Sequence, residues 1–283
     1  MSDFRGAIEL GRTGLRTSRL GIGSSFTGSA RFIEEAVEQG INYLYWGSIR
    51  RPAFGRAIRN VARRNRAGVV LTVQSYSRLG ALMAPSVEIA LRRAGVDYFD
   101  FLLLGMWNEP PREGIVDAAL RLREQGKVRF LMLSTHNRPS LQAHFRRFAA
   151  GQSPFEVFML RYNAVHRGAE RDVFPYLPAQ SPPGLIAYTA TRWGHLLDPS
   201  KMPPGEAPPP ARDCYRFALT HPALSLVLCG PASREQMQEA IRALDAGPLA
   251  PDEMERMRRI GDHLYGRYAP SFRDRGDASA SAL

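Results

Sequence analysis

A chain of 283 residues with 44% hydrophobic side chains suits one large barrel or two ordinary domains, and its apolar content excludes gross disorder. No apolar run approaches the ~18 residues of a membrane span, and the opening Met-Ser-Asp-Phe-Arg lacks an apolar signal region, so no membrane partner and a cytoplasmic setting are expected. The formal net charge of +11 admits either nucleic acid or an anionic cofactor as a partner. Lys127 and Lys201 are the only lysines, and arginine use this general reads as a composition bias rather than a nucleic-acid groove. The dense set Arg50, Arg51, Arg56, Arg59, Arg63, Arg64 and Arg66 is therefore expected on a solvated helix face, with no nucleic-acid partner. Cys214 and Cys229 have no metal-ligand spacing and read as reduced, packed thiols.

In chain order, Ile8 to Leu15 reads as a β-hairpin with Gly11 and Gly14 flanking its turn. Strand and helix then alternate. Leu20 to Gly23 is a strand, Ala30 to Gln39 a helix, Ile41 to Tyr45 a strand, and Phe54 to Arg64 a helix that Pro52 introduces. Val69 to Gln74 with Ser86 to Arg93 makes the third unit, and Tyr98 to Leu104 with Ile115 to Glu124 the fourth. The strands are nearly continuous apolar runs, as a parallel sheet covered on both faces requires.

The second half keeps the rhythm: Val128 to Leu133 with Leu141 to Phe148, Val157 to Arg161 with Ala169 to Leu177, then the strand Leu185 to Thr189. A proline-rich loop, Asp198 to Pro210, precedes the helix Asp213 to Thr220. Leu224 to Cys229 and Arg234 to Leu244 form the eighth unit, and a further helix covers Asp252 to Tyr265. Eight alternating units predict an α/β fold, a single (β/α)8 TIM barrel over residues 1–265 with an N-terminal hairpin and a C-terminal helix. Residues 266–283, without apolar periodicity, read as a disordered tail.

Several phrases at the expected strand ends resemble the aldo-keto reductase superfamily, from about Ile8 to Gly261. Gly40-Ile-Asn-Tyr-Leu-Tyr-Trp-Gly is similar to the family's second-strand phrase, and Gly126-Lys-Val-Arg, running on to Ser134, is similar to its fifth. Tyr162-Asn163 matches the Tyr-Asn after its sixth strand. Ala187-Tyr188 with Gly194 and Leu196 echoes the seventh loop, and Gly230 with Ser233, Gln236 and Glu239 the last one. The resemblance implies the cofactor NADP(H). Ser134 and Asn163 would grip the nicotinamide carboxamide, Tyr188 would stack on the ring, and Gly230, Ser233, Arg234, Gln236 and Glu239 would hold the adenosine and phosphate end. Ser134, Asn163 and Ser233 are equally the kinds of residue that cap loops and helices. Met159 replaces a usual glutamine and Ala240 a usual asparagine.

The catalytic set of that family is missing. By the same alignment, Tyr45 stands for its aspartate, Arg50 for its tyrosine, Gln74 for its lysine and Gly105 for its histidine. Tyr45 points by strand alternation into the barrel interior, where it either fills space or acts as a proton donor if Arg50 stabilises the phenolate. Trp46, Trp107 and His136 also fall at strand ends and are expected to line a substrate pocket. The scattered histidines offer no metal site. Two functions stay open: an NADP(H)-binding oxidoreductase of weak or non-standard activity on a small molecule, or a binding barrel without turnover that serves as sensor, scaffold or accessory protein.

Overall fold

The strands between Leu20 and Cys229 are buried on both faces over most of their length, and that demand is met by curling the sheet into a closed barrel inside a ring of helices. The computed structural model describes residues 4–26 and 29–268; the predicted tail beyond residue 268 lies outside the described residues. A small antiparallel pair, β1 (Ile8–Glu9) and β2 (Arg16–Thr17), precedes the barrel. The eight barrel strands are β3 (Leu20–Gly23), β4 (Tyr43–Trp46), β5 (Val70–Ser75), β6 (Phe99–Leu104), β7 (Val128–Ser134), β8 (Phe155–Arg161), β9 (Gly184–Tyr188) and β10 (Leu226–Cys229). All pair in parallel in that order, and β10 closes on β3.

The covering helices are α1 (Ala30–Glu38), α2 (Pro52–Asn65), α3 (Met83–Ala94), α4 (Glu113–Glu124), α5 (Ser140–Ala149), α6 (Ala169–Asp172), α7 (Ala211–Thr220) and α8 (Arg234–Ala246). α9 (Pro251–Tyr268) extends three residues past the predicted domain end. The predicted helix Ala169 to Leu177 is cut short: α6 stops at Asp172 and a 3-10 turn, Phe174–Tyr176, follows. Pro175 and Pro178 remove backbone donors there and forbid a continued α-helix. The proline-rich loop is pinned to α9, where Arg256 donates to Glu206 at 2.8 Å and to the Ala207 carbonyl at 2.7 Å.

Side chains alternate between two cores. Leu44, Trp46, Leu71, Val73, Leu102 and Leu104 face the helices; Tyr43, Val70, Phe101, Leu103, Met132, Val157, Ile186 and Leu226 fill the barrel. The hairpin supplies Leu10, fully buried in the inner cluster and packed on Gly184, so the N-terminal end of the barrel is stopped. Within this layer the Thr72 hydroxyl donates to the Tyr43 oxygen at 2.8 Å and Tyr43 donates to Met132 Sδ at 3.5 Å. No helix among the described residues is long and apolar enough to cross a membrane.

α9 lies against the loop after β8 so closely that a Cβ at Gly261 would overlap the Ala164 carbonyl. The obstacle is backbone, which cannot turn aside. Gly261→Ala should therefore cost about 1–3 kcal/mol, as overpacking commonly does. Thermal melts should show a fall of roughly 2–4 °C for each kcal/mol; an unchanged Tm would mean that α9 shifts freely.

Candidate functional site

A cavity of about 320 Å3 opens at the C-terminal ends of the barrel strands, the end at which barrels of this kind carry their chemistry. Tyr45 of β4, Gln74 of β5, Ser134 of β7, Met159 of β8 and Leu228 of β10 form its inner wall. Phe26, Tyr76, Met106, Tyr188, Trp193 and Tyr215 surround them, and Gly230 stands at the rim. Among the described residues the lining contains no lysine, arginine, aspartate or glutamate. The surface is aromatic and amide-bearing, with His136 the one imidazole.

Three neighbouring positions explain one another. Tyr45 donates its phenolic proton to Gln74 Oε1 in a short hydrogen bond. Gln74 in turn fills the space in front of Gly105: a Cβ there would overlap Gln74 Nε2. Gly47 leaves room beside the Tyr45 ring, its hypothetical Cβ falling 3.0 Å from the hydroxyl. Burial pushes the Tyr45 phenol well above its ordinary range, and the phenols of Tyr76, Tyr43 and Tyr188 push it further. Tyr76, half-exposed, lines the same wall, and burial pushes its phenol above the ordinary range. Across the cavity, Tyr188 and His136 meet edge to face, with the hydroxyl 3.1 Å from Nδ1.

Arg50 does not reach this cluster. It is exposed on the loop before α2 and lines a separate surface cleft with Trp46, so the phenolate partner expected for Tyr45 is absent. Trp46 is likewise outside the cavity: the alternation that turns Tyr45 inward turns Trp46 outward, against Gly55, with Nε1 donating to the Arg51 carbonyl at 3.2 Å. Trp107 packs in the helix-facing layer under the Arg78 guanidinium, 3.9 Å from the ring centroid, and does not line the cavity either. Asn163 is fully buried and ties its own loop to the loop after β9. Its Nδ2 donates to the Thr189 carbonyl at 2.8 Å and its Oδ1 accepts from the Val165 and His166 amides at 3.0 and 2.9 Å.

The remaining expected residues are placed as follows. Ser134 lines the cavity, and its Oγ accepts from the Met106 amide at 2.9 Å. Ser233 caps α8 by accepting from the Gln236 amide at 3.3 Å, and Gln236 Oε1 reciprocates by accepting from Ala232 N at 2.8 Å. Arg234 is held by Glu35 of α1, and Glu239 by Arg212 and Arg242. Tyr76 was open to discovery from sequence, two residues past Gln74 on the same face; Tyr215 reaches in from α7 without any local signal. Thr189, Arg192 and Trp193 hold positive φ angles of 59°, 49° and 52°, so the loop after β9 reaches the cavity at a local backbone cost. Among the described residues no cluster of three His, Cys, Asp or Glu could hold a metal.

Two expected outcomes follow from the Tyr45 cluster. Gly105→Ala should destabilise by displacing Gln74, and adding Gln74→Ala should relieve most of that loss. Denaturant midpoints should give a coupling of about 1 kcal/mol or more, and strict additivity would refute the contact. The second concerns alkaline pH. Buried phenols with raised pKa add stability that is intact below the unfolded value of about 10 and is lost as pH rises from there. Melting temperature should therefore be flat through neutral pH and fall above about pH 10. A phenolic absorbance titration that showed every tyrosine ionising near 10 would contradict this.

No protein-family model matches the chain. Two Saccharomyces cerevisiae proteins named as aryl-alcohol dehydrogenases, AAD14 and AAD10, are 32% and 30% identical to it over 92 residues, 32% of this chain. That stretch spans only 24% and 32% of their own lengths. Over the whole architecture the chain is similar to aldo-keto reductase AKR11C1 from Bacillus halodurans. The holo form superposes with a TM-score of 0.74 at 19% identity, covering 90% of this chain and 95% of the other. The apo form gives 0.71 at 22% identity over the same shares. The barrel, its stopping hairpin and its C-terminal helix together have the fold of the aldo-keto reductases.

Proposed function

We propose that this chain is an aldo-keto-reductase-like barrel that binds a nicotinamide dinucleotide, NADP(H), across its C-terminal mouth, with ordinary carbonyl reduction weak or lost. The observation that carries the second half is the Tyr45-Gln74-Gly105 contact. The side chains there fill one another's space, and among the described residues no lysine, arginine or carboxylate in the cavity wall can stabilise a phenolate or relay a proton. General acid catalysis contributes about 10²- to 10⁴-fold, so its loss should leave little turnover.

The residues fit the cofactor at two places. Tyr188 offers an aromatic face, Ser134 a hydroxyl and Met159 an apolar floor for the ring; the start of α8, with its capping Ser233 and the nearby Arg234, suits phosphate. When bound, the dinucleotide supplies hydride chemistry. The protein's part would be to orient the ring against Tyr188 and to keep water from it. Asn163 does not fit its expected role without opening its loop. That engaged amide, together with a cavity without charge, favours the second reading: a binding barrel without turnover, serving as sensor or accessory protein.

Titration of the intact chain with NADPH should perturb the fluorescence of Trp193, which lines the cavity. Ser233→Ala with Arg234→Ala should weaken that binding. Purified protein should oxidise little or no NADPH with common aldehydes or quinones, and Tyr45→Phe should leave any residual rate unchanged. No binding of NADPH or NADH at millimolar concentration would end the cofactor reading. Robust turnover lost in Tyr45→Phe would show a working proton donor instead.

A further inference from the structure

Between Gln39 and Val87 the sequence carries eight arginines and not one aspartate or glutamate. Some arginines of this protein are met by carboxylates: Arg5 by Asp245, Arg66 and Arg129 by Asp100, Arg216 by Asp213 and Glu253, Arg258 by Glu170. Within the stretch, Arg64 is paired with Glu34 and Glu38 of α1. Arg50, Arg56 and Arg59 of the stretch, with Arg93 beyond it, meet no carboxylate among the described residues, and unlike the other unpaired arginines they line one cleft.

Those four converge on one concavity of about 460 Å3, bounded by Ile49, Pro52 and Gly55 with the edge of Trp46 as its floor. The volume lies in the usual range of small-molecule sites, about 300–1,000 Å3. The glycine opens it, because a Cβ at position 55 would meet the Trp46 ring at 2.7 Å. Two of the guanidiniums are fixed by backbone: Arg93 donates to the Ile49 carbonyl at 3.0 Å, and Arg59 to the carbonyl of Arg93. Arg59 Nε is buried without any hydrogen-bond partner. α2 begins at the same place, with Pro52 at its first turn and no side chain capping it. Four like charges gathered without a counter-charge repel one another, and a multivalent anion between them would offset that cost.

We propose that this cleft, on the opposite side of β4 from the barrel cavity, binds a small molecule carrying two or three linked phosphate groups. Arginine forks and linked phosphates match as bidentate partners, and the tryptophan edge leaves an apolar surface beside them. The site is separate from the cofactor mouth, so tripolyphosphate binding and NADPH binding read at Trp193 of the mouth are independent measurements.

Calorimetric titration of the intact chain with inorganic tripolyphosphate should show one site per chain, weakened by added salt. Arg56→Ser and Arg93→Ser should each weaken it by about tenfold, the usual scale for one charged hydrogen-bonding partner. Arg63→Ser, on the same helix but outside the cleft, should change the affinity little, and none of the three should alter NADPH binding. Tighter binding of a nucleoside triphosphate would assign the source to a nucleotide, and equal affinity to the phosphates alone; either supports the site. No binding at millimolar tripolyphosphate overturns the proposal. So does equal binding by the Arg56→Ser/Arg93→Ser double variant, or binding of RNA oligonucleotides that strengthens with length while tripolyphosphate does not bind.

Discussion

Closure of the sheet is the constraint on which everything else in this protein depends. Eight parallel strands that meet at β10 and β3 leave no free edge, and every second side chain is committed to a shared interior of limited volume. A substitution at one strand end must then be answered by its neighbours. Gln74 occupies the room that Gly105 vacates, Tyr45 reaches Gln74 across the β4 and β5 ends, and Gly47 stays small beside the phenol. These four residues form one packed unit, and changing any of them alone would leave either a hole or a collision.

The same rule shows why the fold was legible in the sequence. Strands buried on both faces read as apolar runs, and helix starts carried their own signals, such as Pro52 in α2 and Ser233 at the head of α8. Less legible was which way a residue at a strand end points. Tyr45 was placed correctly by alternation from Tyr43, yet Trp46 and Trp107 were expected in the cavity because they fall at strand ends. Tyr45 turning inward already required Trp46 to turn outward. Asn163 was ambiguous for another reason: an amide that can hold a ligand's carboxamide can equally hold a loop, and only the positions of Thr189, Val165 and His166 decide between them.

Charge is divided as strictly as packing. The barrel cavity is lined by phenols, an imidazole and an amide, where burial keeps Tyr45 protonated and holds the Cys229 thiol up at about 12. Formal charge is exiled to the helix ring. There Asp100 accepts from Arg66 at 2.9 Å, from Arg129 at 3.1 Å and from the Leu71 amide at 2.9 Å, tying α2 to β5, β6 and β7. Four arginines without such a partner, Arg50, Arg56, Arg59 and Arg93, line one cleft beside α2, behind the strand whose other face forms the cavity wall.

Leu10 gives the molecule a direction. With the hairpin seated in the N-terminal end and a packed layer of Tyr43, Phe101 and Ile186 above it, the barrel is a blind vessel with one mouth. Whatever enters must leave by the route it came. Of two molecules held together, the deeper must arrive first and depart last, so the order of exchange is dictated by the packed barrel interior that Leu10 seals from below, far from where exchange takes place.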